Sequence, residues 1–243
     1  IGDYMTPPAF ISMGTNGLWV GKFETGYKGA TSTTAAQVNA SDSTKIQIKP
    51  NVYSWRSIQP ANAHLASYNY KRELDSHMMK NTEWGAVAYL QHSKYGSSTS
   101  VRINNNSAYI TGYAAKNEPT CGFTGKNELC NINESTNLGI DGTNTYNYKN
   151  PSSQVASTTG NYTGIYDMSG GVAEYTMGAR GSITAGITGF SSPNVPDAKY
   201  YDIYNANSAQ TTYQYRILGD GTSEFGPFAS VTYGNRTRRI GSW

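Results

Sequence analysis

Charge is scarce in this sequence: Asp, Glu, Lys and Arg make up 14% of its 243 residues and leave a net charge of +3. That excludes a polyelectrolyte tail or surface as an organising feature. The one cluster of positive charge, Arg236, Arg238 and Arg239, has no interleaved aromatics of the kind that line a nucleic-acid groove, so no nucleic-acid partner is expected. Apolar runs are short as well. None approaches the roughly 18 residues a membrane-spanning helix needs, and no basic segment followed by an apolar one opens the chain. No membrane span is expected within it. The chain begins with Ile1 instead of Met, which is read as processing or trimming upstream.

Histidine and cysteine are nearly absent. His64, His77 and His92 each stand alone, no acyl-transfer triad is recognisable around them, and none of the three is expected to be catalytic. Cys121 and Cys130 bracket the turn-rich segment G-F-T-G-K-N-E-L, short enough to close as a disulfide; if they pair, an oxidising compartment follows. Zinc is not expected there, because no histidine or second cysteine pair lies close by.

What fills the surface instead is Asn, Ser, Thr, 26 Gly and 20 Tyr. Binding loops use this palette: Tyr gives a large rigid contact area at low entropy cost, and Ser, Gly and Asn supply adaptable hydrogen bonds. Compositional bias of the source organism is the competing explanation. The length fits one large domain carrying insertions.

Along the chain, Gly17 to Thr25 alternates Trp19, Gly21 and Phe23 against Val20, Lys22 and Glu24, which predicts a strand with a buried aromatic face. Residues 26–44 read as an exposed loop, and Ile46 and Ile48 as a short edge strand before Pro50. A weak helical pattern covers 54–67, with Ser54 as candidate N-cap, although Pro60 requires the helix to start later or break. The segment His77 to Gly96 is the clearest helix, capped by Asn81 or Thr82, with Glu83 in its first turn and Gly96 able to end it. Gly85 inside it implies close packing. Residues 97–160 alternate strand-like runs with Asn/Gly/Thr-rich loops and read as an insertion.

The densest local signal is Gly164 to Tyr175, G-I-Y-D-M-S-G-G-V-A-E-Y. Ile165 and Tyr166 suit a half-buried strand, Asp167 can bond the backbone two residues on, and Ser169-Gly170-Gly171 permits a tight turn. The residues themselves leave two roles open for Asp167 and Glu174. They are either buried carboxylates tying loops to backbone N–H groups, or part of a metal site completed by backbone carbonyls, since calcium takes about six to eight oxygens.

This stretch resembles the Y-D-M-x-G-N-V-x-E-W signature of the formylglycine-generating-enzyme/sulfatase-modifying-factor superfamily, with Gly171 at the Asn place and Ala173 at the usual Trp. Further likeness lies in G-L-W-V-G-K-F-E-T, in Pro50, Val52, Ser54 and Trp55, and in Glu83, Trp84 and Ala88. Several longer pieces, H-M-M-K-N-T-E-W-G-A-V-A-Y-L and K-Y-Y-D-I-Y among them, look like a subgroup of gut Firmicutes surface proteins, often behind a pilin-type segment.

The resemblance implies an α+β, C-type lectin-like domain over 1–243, with two helices, short twisted antiparallel sheets, long loops and the insertion noted above. It also implies a structural calcium near Asp167, Gly171 and Glu174, put in question by the glycine at 171, and no other cofactor. The family's closing strands are not found before Trp243, so the C-terminal strands are expected to be missing. Its enzymes use a copper-binding cysteine pair near the C-terminus, and Cys121 and Cys130 do not match those positions.

The expectation is therefore a non-enzymatic, adhesin-like recognition domain, extracellular or at the cell surface, binding a glycan or protein partner as part of a pilus-like appendage. The alternative is a structural subunit that self-assembles into a filament, completed by a neighbouring chain. A formylglycine-generating-type oxidase is the remaining reading. The sequence assigns no ligand-binding residue.

Overall fold

A proline that blocks one helix start also creates the next one. The computed structural model describes residues 14, 17–88, 90, 93–96, 109–113, 121–124, 127–130, 154, 157–168, 172, 174–180, 190, 195–204 and 237–239. In it the first helix, α1, runs Pro60–Tyr70 with Pro60 in the first turn. There its missing N–H is one the helix would leave unbonded anyway, and its fixed φ is already helical. Ser54 is not the cap expected of it. It lies buried in a bridge to Gly26, and Gln59 occupies the N-cap without a side-chain bond.

The second helix, α2, spans Asn81–Ala88, shorter than the pattern to Gly96 predicts. Beyond it, turns close through Ser93 N–H to Leu90 O and Gly96 N–H to Ser93 O. Its cap also differs from expectation. Glu83 Oε2 accepts the Lys80 N–H at 2.7 Å, the backward arm of a capping box, while Asp202 takes the Thr82 N–H at 2.8 Å and its hydroxyl at 3.2 Å. The cap thus comes from a strand 120 residues away, which no local pattern reveals.

The strands are short and pair two by two. β1 (Gly26–Tyr27) runs antiparallel to β2 (Ile46–Gln47), β3 (Cys121–Thr124) to β4 (Asn127–Cys130), and β5 (Glu174–Thr176) to β8 (Thr237–Arg239). The fourth ladder, β6 (Gly178–Arg180) with β7 (Asp202–Tyr204), is parallel, where only antiparallel sheets were expected. Residues 17–25 do not form the predicted strand. They run beside 165–167 through isolated bonds, Tyr166 N–H to Lys22 O at 2.8 Å among them; Phe23 is buried, but Trp19 is fully exposed. The 26–44 loop is likewise less exposed than its composition implied, because Ala36 is wholly buried and bonded to Arg56.

Three apolar clusters hold these pieces. Trp84, Val87 and Met168 pack with Val20, Met79, Leu90 and Ile165; Ile46, Trp55 and Ala66 form a second group; Ala61, Met78, Met177 and Phe190 form the third. Each fully buried large side chain contributes about 1.5–3 kcal/mol, enough to fix short elements that propensity alone would not. Residues 109–113, inside the expected insertion, are anchored in this body: Ile110 bridges Tyr53, and Thr111 exchanges bonds with Val52 and donates its hydroxyl to the Lys49 carbonyl.

Candidate functional site: a buried carboxylate cluster

Asp167 sits in the left-handed region at φ 65, a conformation Asp tolerates better than most residues. The turn there aims its carboxylate inward. Both oxygens accept the Gly112 N–H, at 3.0 and 2.9 Å, and Oδ2 also takes the Glu24 N–H at 3.2 Å. Gly112 has φ 73, and a Cβ there would come within 2.8 Å of the Phe23 ring, so the donor is a glycine for two reasons. One carboxylate thereby ties together three stretches that are far apart in sequence.

Glu174, at the start of β5, accepts the indole N–H of Trp84 at 2.7 Å. Glu24 completes the group. Burial pushes Asp167 up to about 7, against the lowering effect of the Gly112 and Glu24 N–H groups. Glu174 also rises to about 7, first through burial, opposed by the Trp84 bond and reinforced by the charge on Asp167. Glu24 is raised well above the usual range, by burial first and then by Glu174 and Asp167, while a Ser54 hydrogen bond and Arg56 oppose this. Burial is the first cause of the rise in all three carboxyls, and Asp167 and Glu174 reach about 7.

Sequence reasoning singled out Asp167 and Glu174, and the structure brings them into electrostatic contact. It did not single out Glu24, which lay at the end of an alternating run and within the G-L-W-V-G-K-F-E-T likeness. Gly171 lies outside the described residues. The oxygens of Asp167 accept backbone N–H groups, and Oε2 of Glu174 accepts an indole N–H. Among the described residues, no group of three or more His, Cys, Asp or Glu is disposed to hold a metal ion. The arrangement acts as a polar tie. Asp167 is 7% exposed.

The histidines, isolated in sequence, are not isolated in space. His64 is buried within a cage of Tyr68, Phe190 and Tyr200, each ring 5.9 Å away, and among the described residues its Nδ1 has no partner. Burial and the neighbouring His77 push it down to about 4. His77 faces the same Tyr200 ring at 5.4 Å, and its Nε2 reaches Glu83 at 3.2 Å, which raises its pKa. His92 lies outside the described residues.

On the surface, Trp19 is fully exposed and Tyr162 is 61% exposed. Lys22 bonds the Tyr162 carbonyl and lies over the Tyr162 ring at 5.8 Å. The other expected pair, Cys121 and Cys130, occupies opposite positions of the β3–β4 ladder. No helix among the described residues is long and apolar enough to cross a membrane. No family model, curated protein or solved structure matches the chain.

Proposed function

We propose that this chain is an extracellular, non-catalytic recognition domain of C-type lectin-like, α+β type, borne on a cell surface or pilus-like appendage. It binds a glycan or a protein partner through exposed aromatic and short polar side chains. The observation that carries the reading is Trp19, an indole held entirely in solvent three residues before Lys22, which itself holds Tyr162. An indole at full exposure gains nothing for folding, whereas flat aromatic surfaces are strong anchors at binding interfaces. The buried carboxylates support a binding role over an enzymatic one, because their polar atoms are committed to holding loops together.

The test is a glycan array and a surface-protein overlay with the intact chain, repeated with Trp19→Ala and Tyr162→Ala. A saturable ligand whose binding falls at least tenfold in either variant, with unchanged thermal stability, is the expected result. Binding indifferent to both substitutions would reject this surface. No ligand from either screen would reject the recognition reading.

The second reading is a filament subunit. It is favoured by the β6–β7 ladder, two-stranded among the described residues, on which Ile203 is 57% exposed, since an open strand edge is a template for another chain. Sedimentation across a wide concentration range separates the two: a strictly monomeric chain rejects assembly.

A further inference from the structure

β3 and β4 form a ladder of their own, and among the described residues no third strand joins it. Its register is Thr124 with Asn127, Phe123 with Glu128, Gly122 with Leu129, and Cys121 with Cys130. Two residues, Gly125 and Lys126, connect the strands. In a hairpin closed by two residues, the pair flanking the loop exchanges both of its hydrogen bonds, and bonded and open rungs alternate outward from it.

Counting outward, Thr124–Asn127 is bonded, Phe123–Glu128 open, Gly122–Leu129 bonded and Cys121–Cys130 open. Open rungs hold their Cα atoms about 4.5 Å apart, inside the roughly 4.4–6.8 Å range a disulfide spans. The cysteines also occupy the rung farthest from the loop, where a hairpin frays first. A two-stranded hairpin standing alone in water is marginal.

We infer that Cys121 and Cys130 form a cross-strand disulfide that clasps the open end of this hairpin, so that its order depends on the redox state of the surroundings. The inference rests on register alone and is independent of the recognition reading above. Formation removes two protons and two electrons from the two thiols. A small-molecule disulfide such as oxidised glutathione accepts them and leaves as two thiols. The bond then persists only in an oxidising compartment.

Lys126 lies between the two cysteines, so trypsin separates them onto peptides 117–126 and 127–149. The intact chain is equilibrated in a glutathione redox buffer, quenched with acid, alkylated in denaturant without reductant, and digested. The expected result is one linked species of the two peptides that separates on reduction. Recovery of both as alkylated free thiols, or of each linked to its own copy, overturns the proposal.

Hydrogen exchange supplies the second readout. Reduction should speed exchange of the hairpin amides on the order of tenfold while leaving α1 unchanged. Equal exchange in the two redox states would reject the clasping role even if the bond forms.

Discussion

The indole N–H of Trp84 donates to Glu174 Oε2 at 2.7 Å, joining α2 to β5 across 90 residues. The partners are not equivalent. Glu174 is raised to about 7, mainly by burial, so a neutral amide in its place keeps an acceptor and removes a group that is costly to charge. Trp84→Phe leaves the carboxyl enclosed without its donor and should cost about 1–3 kcal/mol, plus the packing lost from a residue that is 3% exposed. Glu174→Gln should cost less than about 1 kcal/mol. Urea unfolding of both variants checks the order, and equal losses would show that the bond does not govern this contact.

Asp167 couples backbone conformation to the same cluster. Asn tolerates φ 65 as Asp does and retains one acceptor, whereas Ala loses both the tolerance and the bonds to Gly112 and Glu24. Asp167→Ala should therefore destabilise by about 2–4 kcal/mol and Asp167→Asn by about 1 kcal/mol or less. Denaturant midpoints are the measurement. An Asn variant as unstable as the Ala variant would mean that the ionised carboxylate itself is required.

Gly85 offers the opposite sign. Its place inside a helix implied close packing, yet a Cβ added there meets nothing within 4 Å. The residue thus carries the conformational cost of glycine without a packing reason. Gly85→Ala should stabilise the chain by about 0.5–1 kcal/mol, seen as a higher melting temperature. By contrast, a Cβ at Gly26 would lie 2.4 Å from Val52 Cγ2, so Gly26→Ala should lower it. A fall with Gly85→Ala would show that α2 has a neighbour outside the described residues.

What could be read in advance follows how local each cause is. Both helices were visible because Pro60 and the Glu83–Trp84 pair act within one turn. The start of α2 was placed at Asn81 or Thr82, close to where the helix begins, but the cap from Asp202 on β7 and the end at Ala88 were not legible. Trp19 and Phe23 share one alternating phase, yet one is exposed and the other buried, since isolated bonds to 165–167 replace a continuous ladder there. In the carboxylate cluster, Asp167 and Glu174 stood out by motif. Glu24 lay in a resembling stretch but was not singled out, because its role exists only once Asp167 folds back onto its N–H.

His64 gives the sharpest pH test. Its pKa is depressed from the ordinary 6.5 to about 4 by burial among Tyr68, Phe190 and Tyr200, with the charge of His77 adding to this. A depressed histidine contributes stability above pH 6.5 that is lost as pH falls through about 4, amounting to about 3 kcal/mol at most. Asp167 and Glu174 act the other way in this range: raised to about 7, they contribute stability below the ordinary carboxylate range that is lost as pH climbs toward 7. His77, raised by Glu83, contributes stability below 6.5 that is lost above it. The full stability curve is therefore a sum of opposing terms, and only a difference between two chains isolates His64. His64→Phe fills the aromatic cage and removes the unpartnered Nδ1, so at pH 7.5 it should alter stability by less than about 1.5 kcal/mol. Between pH 6.5 and 4 the variant should gain steadily on the wild-type chain in urea midpoint. A difference that stays constant through that interval would mean that His64 takes up its proton as easily in the folded chain as in the unfolded one, and that its burial is breached by water.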